Sequence, residues 1–373
     1  MGTSRGSGQP PSKNGRNGHN GQSGQATGPS RPTEGGSVER FYAELDRCWE
    51  LMESGDLEGA QKRALKLLRT DGDSPELYVL LGMLAGMQGK PEQALDYYAK
   101  AMDIDAEYVE PIICAAEVYL WEMEEPEKAL ELCERALDLA EEEDEYVDAL
   151  LLRAEAEVAL DRDQAAYATL MELPELPLSE PSYHLRAGRL LLDLGHVDDA
   201  EDHFQRALSL DDQSADALHG LGLCAGERGD QKTMVELFLK VRGSDLQAPP
   251  APWALSTDRF REVCGQAIDE LPEELHKLLG NVPVIAGEYP SEELVKDGVD
   301  PRVLGLFTGV PHGDKSSVGG APHLDAILLF QRNIERMAYN ADDVENEIHI
   351  TLVHEAGHFF GLSEEQLEEM GLG

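Results

Sequence analysis

The chain has 373 residues, with 31 Lys and Arg against 73 Asp and Glu, which gives a formal net charge of −42. This length is enough for two or three domains with a substantial buried core. Such a negative field repels phosphate backbones and anionic lipid headgroups, so the composition excludes nucleic acid and membrane surfaces as partners of most of the molecule. Basic proteins or peptides are the partners that this charge favours.

The five cysteines are scattered and odd in number, and no two of them form a C-x-x-C pair. This pattern argues against a disulfide framework and against a Cys-ligated zinc, and it indicates small core residues in a reducing compartment. No apolar run approaches the roughly 18 residues of a membrane span, and the N-terminal residues lack the apolar stretch of a signal peptide. We therefore expect a cytoplasmic protein.

Residues 1–37 are rich in Gly, Ser and Asn and predict a disordered tail, because they have too few apolar side chains to offset the entropy of ordering. From there to residue 246 the pattern is helical, and small residues recur 34 to 37 residues apart. These markers are Ala60, Ala94, Ala129, Ala166 and Ala200, and Met234 takes the next place. The period predicts repeated pairs of helices.

This spacing resembles tetratricopeptide (TPR) repeats. One copy contains Leu81-Gly82, Ala94, Tyr98 and Ala101, and another contains Gly188, Ala200, Phe204 and Ala207. About six copies fit between residues 38 and 246. The resemblance implies an all-α solenoid whose concave groove holds extended peptide segments, and the acidic composition predicts that a bound protein or peptide is basic.

Residues 247–254 are a Pro-rich linker that predicts a semi-rigid connection, and a second domain follows from 255 to 373. The predicted elements of this domain are a helix over 261–279, short strands over 282–286, 304–308 and 326–330, and a final helix over 342–360. This mixture predicts a small α+β fold. If the 326–330 strand lies at a sheet edge beside the last helix, it can pair with an extended substrate.

The last helix contains His354-Glu355-Ala356-Gly357-His358, an H-E-x-x-H motif. Two histidines at i and i+4 project from one helix face and can both ligate a single Zn²⁺, while Glu355 can accept a proton from the attacking water. A shuffled chain of this composition would contain two histidines at this spacing, with Asp or Glu after the first, roughly 0.06 times, so chance is a poor explanation.

A catalytic zinc needs a third protein ligand. Gly361 can adopt a positive φ, which would turn the chain back towards the metal and bring Glu364 to the third-ligand position. Glu365 and Glu368 are alternatives. The predicted metal ligands are therefore His354, His358 and Glu364, with Glu355 as the catalytic base.

The second domain also resembles the small bacterial zincin-like metallopeptidase domains, or minimal zincins. The matching segments are Leu271-Pro-Glu-Glu-Leu275, Val282-Pro-Val-Ile285, Leu304-Gly-Leu-Phe-Thr-Gly-Val-Pro311, Ile327-Leu-Leu-Phe330 and Thr351 to Glu364. The resemblance implies zinc ligation by His354 and His358 and general-base catalysis by Glu355. Similar domains often have Asp where this chain has Glu364.

Other polar residues near the motif are weaker candidates. His312 and His323 lie in a loop before the third strand, Tyr339 precedes the last helix, and Met370 follows it. His349 lies five residues before His354, about 140 degrees around the helix, which places it on another face. None of these is assigned to the site.

Two functions are compatible with these patterns. The first is a zinc-dependent peptidase whose TPR repeats recruit protein or peptide substrates. The second is a TPR interaction scaffold whose zinc-binding domain is structural or inactive. The intact Glu355 favours the peptidase, because a purely structural zinc site does not need a base beside the first histidine.

Overall fold

The computed structural model describes residues 34–71, 74–173, 180–271, 282–309, 326–338, 340–360 and 362–363. These residues belong to two compact units, of which the first ends at Gly195 and the second begins at His196. The predicted N-terminal tail up to residue 33 lies outside the described residues.

Between residues 34 and 245, the described part of the chain forms twelve helices. These are α1 (Glu34–Glu53), α2 (Leu57–Asp71), α3 (Pro75–Gly86), α4 (Pro91–Ile104), α5 (Glu110–Glu117), α6 (Pro126–Leu139), α7 (Glu143–Ala159), α8 (Asp163–Leu170), α9 (Pro181–Asp193), α10 (Val197–Leu210), α11 (Ala215–Glu227) and α12 (Gln231–Asp245). A π-helical turn, Val118–Glu122, follows α5. Several helices begin with proline, whose fixed φ suits the first helical position.

The small-residue markers fall in every second helix, from Ala60 in α2 to Met234 in α12, and all six are buried. The turn before each of these helices contains one residue with positive φ. These residues are Gly55, Gly89, Glu124, Asp161, Gly195 and Gly229. The period in the sequence is therefore a period in backbone conformation as well as in packing.

Glycines allow close packing within the helix pairs. A Cβ built on Gly82 of α3 would lie 2.4 Å from Cε1 of Tyr98 in α4, and one on Gly222 of α11 would lie 2.5 Å from Cε1 of Phe238 in α12. Each aromatic ring thus occupies the space that a larger residue on the preceding helix would need. All five cysteines are buried and free, as the sequence predicts.

The C-terminal part of the second unit is a small α+β arrangement. Its described elements are α13 (Thr257–Glu270), β1 (Val284–Gly287), α14 (Glu292–Lys296), β2 (Gly305–Thr308), β3 (Ala326–Phe330), α15 (Gln331–Met337) and α16 (Ala341–Phe359). Helix α16 packs against α13, β2 and β3. Buried apolar side chains of α13, β3, α15 and α16 form one core, against which partly buried side chains of β1 and β2 pack. Its buried members include Phe260, Ile327, Leu329, Ile348, Leu352 and Phe359.

The three strands are ordered β1-β3-β2. Strand β1 is parallel to β3, with Val284 opposite Ile327, and β2 is antiparallel to β3, with Phe307 also opposite Ile327. Strand β3 is therefore central. The expectation that residues 326–330 could pair with a substrate as an edge strand is wrong, because both of its edges are occupied by neighbouring strands.

The predicted fold class is confirmed: repeated pairs of helices are followed by a small α+β arrangement. Among the described helices, none combines the length and apolarity that a membrane crossing requires.

Candidate metal centre

Helix α16 presents the H-E-x-x-H motif in its last two turns. Its N-terminus is capped by Asn340, whose Oδ1 accepts hydrogen bonds from the backbone N–H groups of Asp342 (2.9 Å) and Asp343 (3.0 Å). The two aspartates also place negative charge at the positive end of the helix dipole. A buried apolar stripe then fixes the helix against the core, formed by Val344, Ile348, Leu352, Ala356 and Phe359.

The two histidines of the motif converge as their spacing predicts. Nε2 of His354 lies 3.1 Å from Nε2 of His358, and both side chains are only partly buried. Two nitrogen ligands of a tetrahedral zinc, each about 2.0 to 2.1 Å from the metal, lie roughly 3.3 Å apart. The donor atoms and their separation therefore fit a zinc ion.

The chain beyond the helix returns towards His358. The N–H of Leu362 donates to the Gly357 carbonyl (3.2 Å), and the Leu362 carbonyl lies 3.3 Å from Nδ1 of His358. Donation of an Nδ1 proton to this carbonyl would leave the Nε2 lone pair of His358 available to a metal, which is the usual outer-shell arrangement of a metal-binding histidine.

Glu355 is held by strand β2. Its Oε2 accepts a 2.6 Å hydrogen bond from the backbone N–H of Phe307, and the side chain is 7% exposed. Gly305 makes this approach possible, because a Cβ there would lie 2.7 Å from Cγ of Glu355 and 2.9 Å from Cγ2 of Thr351. The rings of Phe307 and Phe359 pack edge to face, with centroids 5.5 Å apart, and reinforce the contact of β2 with α16.

His349 points away from the motif. Its Nδ1 lies 3.8 Å from Oε2 of Glu270 in α13, so it belongs to a different face of the helix, as the sequence predicts. Several other sequence candidates lie outside the described residues: Glu364, Glu365, Glu368, Gly361, His312, His323, Tyr339 and Met370. Within the part of the chain that the structure describes, no group of three or more His, Cys, Asp or Glu side chains is arranged to hold a metal.

The sequence analysis missed the contribution of β2 to this centre. Phe307 is 48 residues from Glu355, and its contribution is a backbone N–H, which no side-chain motif can reveal. The available signal was Gly305, since a glycine inside an apolar strand often marks the close approach of another element.

Two families match parts of the chain. Residues 279–373 match the family described as zincin-like metallopeptidase, and residues 45–108 and 185–242 match a tetratricopeptide repeat family. The chain therefore contains TPR repeats and a zincin-like metallopeptidase domain. No curated protein matches it.

Solved structures similar to the chain include TPR proteins. PilF of Pseudomonas aeruginosa is 17% identical with a TM-score of 0.48, and the match covers 56% of this chain and 93% of PilF. YrrB, a TPR protein with an unusual peptide-binding site, is 22% identical (TM-score 0.37, 48% of this chain and 91% of YrrB). TTC0263, a TPR protein of Thermus thermophilus, is 19% identical (TM-score 0.42, 48% of this chain and 94% of TTC0263).

Proposed function

We propose that the C-terminal domain is a zinc-dependent peptidase and that the TPR repeats recruit its protein or peptide substrates. His354 and His358 are the proposed histidine ligands, Glu364 is the proposed third ligand, and Glu355 is the proposed general base. The observation that carries this proposal is the 3.1 Å separation of the two Nε2 atoms on a helix whose intervening glutamate is fixed by β2.

In this mechanism, bound zinc supplies Lewis-acid polarisation of the scissile carbonyl and of the attacking water. Glu355 takes a proton from that water and later passes it to the leaving amine. The hydrogen bond from the Phe307 N–H holds the carboxylate in one orientation, so little reorganisation is needed when the proton moves. Its burial against Gly305 and Thr351 also restricts water around the base.

The variant Glu355→Gln tests the catalytic step. Gln keeps the size of the side chain and a carbonyl oxygen that can accept from the Phe307 N–H, but it cannot act as a base. Loss of a general base typically slows a reaction about 100- to 10,000-fold. We expect the variant to fold and to bind zinc like the wild type, while cleavage of any peptide that the wild type cuts falls by this factor.

Equal cleavage by the wild type and Glu355→Gln would contradict the assigned mechanism. If neither protein cleaves any member of a broad peptide library while both bind zinc, the interaction scaffold with a structural or inactive zinc domain is the better interpretation.

Metal analysis of the purified chain tests the ligand set. One zinc per chain is expected, and His358→Ala should abolish binding. Separate Glu364→Ala, Glu365→Ala and Glu368→Ala variants identify the third ligand, because the correct one should weaken zinc binding while the other two leave it unchanged. A metal-free wild type after zinc loading would rule out the proposed site.

A cluster of charged side chains on α5, α7 and α9, each the first helix of a repeat pair, supports recruitment of basic peptide segments. Arg186 of α9 donates to Glu155 (3.2 and 2.9 Å) and to Asp148 (3.3 Å), both in α7. Glu117 of α5 adds a third carboxylate, whose interaction with Arg186 is electrostatic. Three carboxylates thus face a single guanidinium, and a Lys or Arg of a bound peptide would balance the excess negative charge.

Peptide binding to the full chain tests this recruitment. A Lys-rich fluorescent peptide should bind, and the same peptide with acetylated lysines should bind several-fold more weakly. The double variant Glu117→Gln with Asp148→Asn should weaken the unmodified peptide, whereas Glu134→Gln, which removes an exposed charge from α6, should not. Equal weakening by both would indicate nonspecific attraction to the acidic surface.

A further inference from the structure

The turn over residues 300–303, which leads from α14 into β2, is anchored by the last helix pair of the repeats. Nε2 of His219 in α11 lies 2.8 and 2.9 Å from the two carboxylate oxygens of Asp300. The Arg302 guanidinium donates to Asp245 at the end of α12 (3.1 and 3.3 Å) and to Asp216 in α11 (2.6 Å). The imidazole of His219 in α11 therefore holds Asp300, and the carboxylates of Asp216 in α11 and Asp245 in α12 hold Arg302.

Helix α15 holds the same turn from the other side. Nδ2 of Asn333, a side chain that is 2% exposed, donates to the carbonyls of Pro301 (2.8 Å) and Val303 (2.7 Å). Arg336 of the same helix reaches Asp245 at 2.7 Å. The turn is thus held between the last helix pair and α15, and Asp245 of α12 bonds both to the turn and to α15.

Burial of the Asp245 carboxylate is unfavourable unless it is paired, and two arginines pair with it here. It is 3% exposed and accepts from two arginines, Arg302 and Arg336. Apolar contacts also join α14 to α12, since Val295 of α14 packs in one cluster with Met234 and Phe238 of α12. A buried carboxylate between two guanidinium groups has few alternative arrangements, so it fixes the relative position of the helix and the turn.

The clamped turn continues directly into the strand that holds the general base. The Leu304 carbonyl accepts from the Phe330 N–H (2.8 Å), Gly305 lies against Glu355, and the Phe307 N–H donates to the Glu355 carboxylate. Only four residues separate Arg302 from Phe307. A displacement of the turn would therefore move the N–H that orients Glu355.

We propose that the last helix pair is a positioning element of the peptidase, with Arg302 and Asp245 as the positioning residues that fix β2 and, through it, Glu355. This inference rests on the proposed function, because it assigns a role towards the proposed base. It makes the α11–α12 pair part of the catalytic unit as well as part of the repeat array.

Hydrogen exchange of the full chain tests the link without relying on activity. In Arg302→Met, we expect the peptide covering residues 304–309 to exchange at least about tenfold faster, while peptides from α13 keep their wild-type rates. The matched control is Arg228→Gln, which removes an arginine that pairs with Asp198 and Glu201 within α10 and α11 and does not touch the turn. Unchanged exchange of residues 304–309 in Arg302→Met would overturn the proposal.

If Arg302→Met loses protection from hydrogen exchange throughout residues 196–373, the variant has unfolded the whole unit, and Arg302→Lys is used to test the link instead. Lysine keeps the charge opposite Asp245 but cannot make the forked hydrogen bonds. Faster exchange confined to residues 304–309 supports the link, and wild-type exchange there overturns it.

Kinetics separate positioning from mere stabilisation. With a peptide that the wild type cleaves, Arg302→Lys should lower kcat about 10- to 100-fold and leave KM within about twofold, because a displaced base slows the chemical step without changing substrate contacts. A change in KM alone would contradict the role. If the wild type cleaves nothing, the proposed function fails, and the exchange data still decide whether the turn controls β2.

Discussion

Gly305 is the residue at which strand β2 touches the motif helix. Replacing it with alanine would place a Cβ 2.7 Å from Cγ of Glu355 and 2.9 Å from Cγ2 of Thr351, which forces the strand and helix apart. Overpacking of this kind typically costs about 1 to 3 kcal/mol. We therefore expect Gly305→Ala to lower the free energy of unfolding by this amount in a denaturant titration and to reduce any peptidase activity.

Gly265→Ala is the matched control in the same domain. Gly265 lies within α13, and a Cβ there would meet no heavy atom within 4 Å. Alanine favours the helix, so this change should stabilise the protein by about 0.4 to 1 kcal/mol. A neutral Gly305→Ala would mean that β2 does not pack against Glu355 as described.

The three motif residues were predictable because one helix sets their geometry. The i, i+4 spacing of His354 and His358 places both imidazoles on one face without reference to the rest of the fold. Phe307 was not predictable, since its contact depends on how β2 packs on α16 across 48 residues of sequence. Local periodicity brings the two histidines together, and tertiary packing supplies the N–H group that holds Glu355.

At the scale of elements, the conformation of the turns within the repeat pairs depends partly on local sequence and partly on tertiary packing. Each has one residue of positive φ, and four of the six positions in the described repeats are glycine. Glu124 (φ 52°) and Asp161 (φ 55°) occupy the other two. A left-handed conformation costs a residue with a Cβ roughly 1 to 2 kcal/mol, so surrounding packing must impose it.

This strain predicts opposite effects at equivalent positions. Glu124→Gly should raise the free energy of unfolding by about 0.5 to 1 kcal/mol, because glycine adopts this conformation without the Cβ penalty but gains entropy when unfolded. Gly89→Ala, at the same place in the preceding pair, should lower it by about 1 kcal/mol or more. Chemical denaturation of the two variants beside the wild type measures both. Destabilisation by Glu124→Gly would show that the glutamate side chain contributes more than the strain costs.

The sequence predicted the helical repeats and the three strands but not every element. Helices α14 and α15 were missed because five and seven residues are too few to reveal a period of 3.6. The expectation that β3 is an edge strand was wrong, and the sequence held a sign against it, since Ala326 to Phe330 is a continuous apolar run with almost every residue buried. Such a run is typical of a central strand covered on both faces, so the composition already favoured the position that the structure has.

At the scale of the whole molecule, buried carboxyl groups make the stability of the two units depend on pH in opposite directions. In the second unit, burial alone would raise the pKa of Asp245, but hydrogen bonds from Arg336 and Arg302 outweigh it and hold this pKa below its ordinary value of 3.8. Burial would also raise the pKa of Asp300, but the hydrogen bond with His219 helps to hold this pKa below its ordinary value. Their stabilisation is present above about pH 4 and is lost as the pH falls through the lowered values.

The first unit behaves in the opposite way. Burial raises the pKa of Glu117 from 4.5 to about 7, and it also raises the pKa of Asp148, although Arg186 lies beside both. The folded first unit therefore binds these protons more tightly than the unfolded chain. The contribution of Glu117 is complete below about pH 4.5 and is lost as the pH rises through about 7, and the contribution of Asp148 also falls as the pH rises.

We accordingly expect Glu117→Gln to stabilise the first unit at pH 8, by an amount on the order of 1 to 3 kcal/mol, and to have a much smaller effect at pH 4.5, where the wild-type carboxyl is protonated. Asp245→Asn should destabilise the second unit at neutral pH, on the order of 3 kcal/mol, because it removes the buried carboxylate that Arg302 and Arg336 share. Peptide-resolved hydrogen exchange across pH 4 to 8 reports the two units separately. Comparing each variant with the wild type at the same pH cancels the general repulsion among the acidic side chains. An effect of Glu117→Gln that does not grow between pH 5 and 8 would contradict the raised pKa, and a neutral Asp245→Asn would contradict the charged link between α12 and the turn that leads into β2.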